Sequence, residues 1–155
     1  MGKRGAILDG ADLTGANLRR VNLTWASATH IHAWGVNLTA ARLVHVRLDG
    51  ARLICAHFDG ATLTNANLTG ANLEGAEFTD ATLDGALLDS ARLTGANLTG
   101  ASLANASLWR ATLRGVRVNA HTDMRHVDLL DANLDGADIT DAMRCDCGDC
   151  DMTRF

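Results

Sequence analysis

The chain has 155 residues, one domain's worth. Hydrophobic residues make up 47% of it, yet there is no proline or tyrosine and only three Phe and three Trp, which excludes the wide, aromatic-filled core of an ordinary layered domain. The net charge of −4 hides a near-neutral body and an acidic end: residues 1–120 hold eleven Lys/Arg against nine Asp/Glu, residues 121–155 three against nine. Neither part has the basic stripe of a nucleic-acid binder.

At the N-terminus, "MGKRGAILDG" lacks the apolar run of a signal peptide, and nothing in the chain approaches the length of a membrane span. The expectation is a soluble, cytoplasmic protein with reduced thiols and no membrane contact.

From Ala6 the chain reads in fives: AILDG, ADLTG, ANLRR, VNLTW and onward to VRVNA, 23 pentads over residues 6–120. Ala, Val or Ile stands first in every unit. Leu stands third, except for Ala28, Ala33, Phe58, Phe78 and Val118. His121 is one residue too many, and the pattern resumes as TDMRH, VDLLD, ANLDG, ADITD and AMRCD. A period of five fits neither an amphipathic helix nor a flat strand. Two apolar positions separated by one polar residue suit a short extended segment with both apolar side chains on one side. The next two positions, rich in Gly, Asp, Asn, Ser and Thr, suit a turn. A chain that turns every five residues and always buries the same side winds around an axis, so the expectation is an all-β solenoid.

These pentads resemble the pentapeptide-repeat family, whose pattern is A(D/N)LxX, over residues 6–146. The resemblance implies a right-handed quadrilateral parallel β-helix with twenty residues per coil, about seven coils and roughly 30–35 Å of rod at the strand spacing. The slip near 121 is expected to be a local bulge within that domain, and residues 145–155 form a separate Cys/Asp-rich tail. Each coil buries its apolar edge only against its neighbours. The last coil is therefore expected to be covered by the tail or paired with a second copy in a homodimer.

With four pentads per coil, residues twenty apart stack on one face. One such ladder is Asp12, His32, Arg52, Asn72, Arg92, Thr112; the next is Asn17, Asn37, His57, Glu77, Asn97, Arg117. Both are mixed in charge. The irregular stretch is 19–57, with Trp25, Trp34, Val44 and Ile54 at outward positions beside Arg42, Arg47 and Arg52. Trp25, Trp34, Arg42, Arg47, Arg52 and Ile54 form a candidate protein-docking patch, since Trp and Arg are common binding anchors. Equally open is that a Trp folds over the rod to fill the space left by Ala28 and Ala33. Trp109 and Leu87 read as isolated surface hydrophobes. The six histidines lack companion ligands at metal-binding spacing, and no nucleophile turn, P-loop or dinucleotide fingerprint occurs. No enzyme is expected.

"RCDCGDCDMTRF" then departs from the repeat. Cys145, Cys147 and Cys150, with Asp146, Asp149 and Asp151, make one candidate site, open to several chemistries. Thiolates suit Cu⁺ or Zn²⁺, although a structural zinc needs a fourth ligand. Cys147-Gly-Asp-Cys150 could close a disulfide. A compact domain followed by a short Cys/Asp segment also resembles the leader–core layout of precursors of ribosomally made, post-translationally modified peptides, which implies a modifying enzyme as partner. In the pentapeptide-repeat family the best-known role is protection of DNA gyrase by mimicry of DNA, which implies a topoisomerase partner and needs acidic ladders. Here outward arginines interrupt them. The expected function is a non-enzymatic scaffold that binds a protein partner and presents the tail, with the gyrase-binding mimic as the alternative.

Overall fold

The computed structural model describes residues 5–142; Cys145, Cys147, Cys150, Asp146, Asp149 and Asp151 lie outside the described residues. Isolated parallel bridges join second-position residues twenty apart, from Ile7↔Ser27 to Asn97↔Arg117. The chain thus closes one four-sided coil every four pentads and stacks each coil on the last, a quadrilateral parallel β-helix.

Each pentad position has its own bonding duty. The second-position N–H donates back to the first-position carbonyl of the preceding coil, as Ser27 N does to Ala6 O at 2.9 Å. The third- and fifth-position N–H groups donate forward, as Leu8 N does to Ser27 O at 2.7 Å and Gly10 N to Thr29 O at 2.9 Å. Each side ends in a four-residue turn closed by bonds such as Ala11 N to Leu8 O at 2.9 Å. The third residue of that turn is the fifth pentad position, and it has positive φ at every unit from Gly10 to Gly115, as a type II turn requires. That explains the glycine preference there. In the second position, Asp and Asn accept from the N–H two residues on, as Asp12 does from Thr14 at 3.0 Å and Asn37 from Thr39 at 3.1 Å. This local bond favours the turn over continued strand.

First and third positions point inward. From Ala26 to Leu113 nearly all of these residues are under 4% exposed. The rings of Phe58 and Phe78, one coil apart, stack at 4.8 Å and 3°, the spacing of neighbouring strands. Toward the N-terminal end, a narrow apolar void is lined by Leu8, Leu13, Leu18, Leu23, Ala28 and Ala33 among others. It lies where alanines replace the usual leucines.

Past Asn97↔Arg117 the bridge offset becomes twenty-one, as in Ser102↔Asp123 and Thr112↔Asn133. The expected slip is therefore a bulge within a continuing ladder. Gly100 N, whose counterparts in other coils donate to a main-chain oxygen, instead meets Asn119 Oδ1 at 3.1 Å and Thr122 Oγ1 at 3.2 Å. The Thr122 hydroxyl donates to Leu98 O at 2.9 Å. Thr122 is the one buried polar residue among those described, and it does the work of the missing ladder bond.

Candidate interaction surfaces

In the order the chain visits them, the first face holds Ile7, Ser27, Arg47, Asn67, Leu87, Ser107 and Asp128 at its bridging positions. The second holds Asp12, His32, Arg52, Asn72, Arg92, Thr112 and Asn133. The third runs from Asn17 to Arg117, and the fourth from Asn22 through Arg42 to Ser102 and Asp123. Residues close in sequence are spread around the girth, while residues a coil apart are brought together.

This rule divides the six residues of the 19–57 patch. Trp34, Arg52 and Ile54 share the second face. Arg42 is on the opposite, fourth face, Arg47 on the first, and Trp25 at the corner between those two. Trp34 is 61% exposed, with Ile54 one coil above it, where Gly35 N donates to Ile54 O at 2.9 Å. Trp25 is 40% exposed and stacks on His45 with centroids 3.9 Å apart. Neither Trp is among the residues that line the void beside Ala28 and Ala33.

Corners differ in relief. The corner after the second face carries Gly15, Gly35, Cys55, Gly75, Gly95 and Gly115, so a partner on that face meets almost no side chains along one border. Cys55 is an exposed free thiol on it. The corner after the fourth face carries Trp25, His45, Asn65, Gly85 and Asn105 instead.

Many surface carboxylates are hydrogen-bonded between coils, two of them to arginines. A fourth-position acceptor reaches the second-position side chain eighteen residues later: Asp9 accepts from Ser27 Oγ at 2.6 Å, Asp84 from Ser102, Asp89 from Ser107, and Glu74 from Arg92. Glu77 accepts from Asn97 at 2.8 Å and from Arg117 at 3.1 Å, clamping three coils. Hydrogen bonds from Ser27 and Thr29 hold the Asp9 carboxyl below its ordinary range, and Thr14 does the same to Asp12. The Arg125 guanidinium lowers Asp123. Arg47 lies 3.5 Å from Asp49, whereas no ion pair involves Arg42 or Arg52 among the described residues. No group of three or more His, Cys, Asp or Glu that could hold a metal occurs among those residues. No helix of the structure is long and apolar enough to cross a membrane.

Sequence reasoning missed one grouping. Leu87, Trp109 and Leu130 are 45%, 39% and 51% exposed, and they lie on the first face in three successive coils. Separations of 22 and 21 residues hide this in the linear sequence. Reading it in rows of twenty, with one residue added at 121, would have revealed it.

A family model described as pentapeptide repeats, in eight copies, matches residues 4–32, 35–70, 56–95 and 91–119. A search of curated proteins found no match. Among solved structures, a pentapeptide repeat protein of the Arabidopsis thaliana thylakoid lumen is 34% identical, with TM-score 0.58 over 67% of this chain and 68% of that one. HetL of Nostoc sp. strain PCC 7120, involved in heterocyst differentiation regulation, is 29% identical, with TM-score 0.52 over 88% and 81%. QnrB1, a plasmid-mediated fluoroquinolone resistance protein, shares the fold at 18% identity and TM-score 0.53 over 85% of each chain. With its coils of four A(D/N)LxX units, the chain belongs to the pentapeptide-repeat family.

Proposed function

We propose that this pentapeptide-repeat scaffold is a non-enzymatic, cytoplasmic protein that binds a protein partner through its second face and presents the C-terminal tail for chemistry. The observation that carries the first half is the exposed Trp34 beside Arg52 and Ile54 on a low-relief face. Trp and Arg are the residues most enriched at energetic centres of interfaces. The second half rests on composition: Cys145, Cys147 and Cys150, with Asp146, Asp149 and Asp151, concentrate thiols and carboxylates in seven residues. They would serve as a modification substrate or as a thiolate site for Cu⁺ or Zn²⁺.

Two measurements test the two halves separately. Affinity capture from the source cells, followed by mass spectrometry, should retain a defined partner with the wild type and lose it with Trp34→Ser and Arg52→Ser. Intact mass of protein produced beside its chromosomal neighbours should show shifts confined to residues 145–155. Unmodified protein that carries no stoichiometric metal after reducing purification would remove the tail's role.

The DNA-mimic reading receives less support. It needs an unbroken run of carboxylates standing in for phosphates. Glu74 and Glu77 are paired with Arg92 and Arg117, and Arg47 stands beside Asp49, so cations interrupt the run. Inhibition or protection of gyrase in a supercoiling assay at micromolar protein would restore it.

A further inference from the structure

The Leu87–Trp109–Leu130 group lies toward the C-terminal end of the first face, away from the patch just described. Ser90 N donates to Trp109 O at 2.8 Å and Arg110 N donates to Leu130 O at 2.9 Å, so Trp109 and Leu130 are direct neighbours on adjoining coils. Leu87 is one coil below Trp109, across the width of the face. Their rim is acidic: Asp89 and Asp128 flank them on the face and Asp131 stands at the corner. One guanidinium, that of Arg110, sits over the Trp109 ring at 5.0 Å. Among the described residues, three carboxylates and one guanidinium flank the step on the first face and the corner after it, while His126 stands at the corner before it.

We infer that this step is a docking site for a cationic amphipathic helix laid along the rod axis. Spacing and charge both select that occupant. Coils repeat at about 4.7–4.9 Å, and a helix presents apolar side chains once per turn of about 5.4 Å. Successive anchors at i, i+4 and i+7 therefore meet Leu87, Trp109 and Leu130 in turn, as in other helix-on-groove complexes. Lysines or arginines beside the anchors meet Asp89, Asp128 and Asp131, and like-charged partners are rejected. A second copy fits less well. A face roughly seven strand spacings long and some ~10–12 Å wide buries less than the ~800 Å² per partner of a stable interface.

The probe is a labelled leucine/lysine amphipathic helix of about 15 residues, titrated by fluorescence anisotropy at physiological salt. Two control peptides accompany it, one of the same composition with shuffled order and one with leucine and glutamate. Wild-type protein should bind the amphipathic lysine peptide about tenfold or more tightly than either control. Trp109→Ser and Leu130→Ser, both outward and checked by thermal melts, should lose about tenfold or more. Trp34→Ser should bind as the wild type does. Asp131→Gly, which removes a carboxylate without straining the corner, should weaken binding more at low salt than at high salt. Equal affinity for the shuffled peptide would overturn the proposal, because charge alone would then suffice. So would unchanged binding by both patch variants, or a sedimentation result in which Leu130→Ser converts a dimer to a monomer. Loss of the second-face partner with this binding intact would leave the inference standing.

Discussion

Among the described residues, thirteen other than glycine adopt positive φ at fifth pentad positions, including Arg20, Trp25, His30, Ala40, His45 and Cys55. An L-residue in that region costs about 1 kcal/mol, so where the side chain does nothing else, glycine should be better. Ala40, at φ 55, is such a place. Ala40→Gly is expected to raise stability by about 0.5 kcal/mol once the extra freedom of the unfolded glycine is subtracted, as read by urea denaturation. The opposite case is Gly100. A Cβ added there would meet Asp80 Oδ1 at 2.3 Å, so the Asp80 side chain would have to move away.

Thr122 tests the repair of the bulge. Thr122→Val keeps the volume but leaves Leu98 O and Gly100 N each short of one partner, and is expected to cost about 1–3 kcal/mol. An acid limb should also be visible nearby. Arg125 lowers the Asp123 carboxyl below its ordinary value of 3.8. Its contribution is therefore complete above that value and is lost as pH falls through the depressed folded value. Asp123→Asn should flatten the fall in thermal stability below about pH 4 and leave the neutral-pH bonding to Arg125 N in place.

At the scale of the coil, the inward positions were legible because they repeat: a Leu third in nearly every unit leaves one solution for which side is buried. The same monotony hid the surface. Nothing in the local sequence tells Leu87 from any other outward residue, and only the twenty-residue period places it beside Trp109. The 19–57 group erred the other way, since neighbours in sequence turned out to occupy different faces. Energetics should follow burial by coil. Leu73, fully buried at 0%, should cost about 2–5 kcal/mol as Leu73→Ala. Leu13 is only partly buried against the core, and the same change there should cost distinctly less. Ala33→Leu adds methyl groups beside the apolar void and is expected to gain about 0.5–2 kcal/mol, measured by the shift in denaturation midpoint.

At the scale of the whole molecule, stability is a sum of coils and their contacts with neighbours, and surface geometry is set by the number of pentads modulo four. Deleting residues 61–80 removes one full coil. The ladder positions on either side then rejoin in register, each face keeps its identity, and the denaturant m-value should fall by about an eighth with the surface exposed on unfolding. Deleting only residues 61–65 keeps every inward position inward as well, so this shorter change should also fold. It turns everything beyond it by one side, however. The second face with Trp34 and Arg52 would then continue into the former third face, and the Leu87–Trp109–Leu130 step would follow the former fourth face. Because all three members of that step lie beyond the deletion, helix binding should survive both changes. If a single partner spans the step and the Trp34 surface together, the single-pentad deletion alone should abolish its capture. The comparison separates two independent sites from one composite surface, using variants that both keep the first and third pentad positions inward.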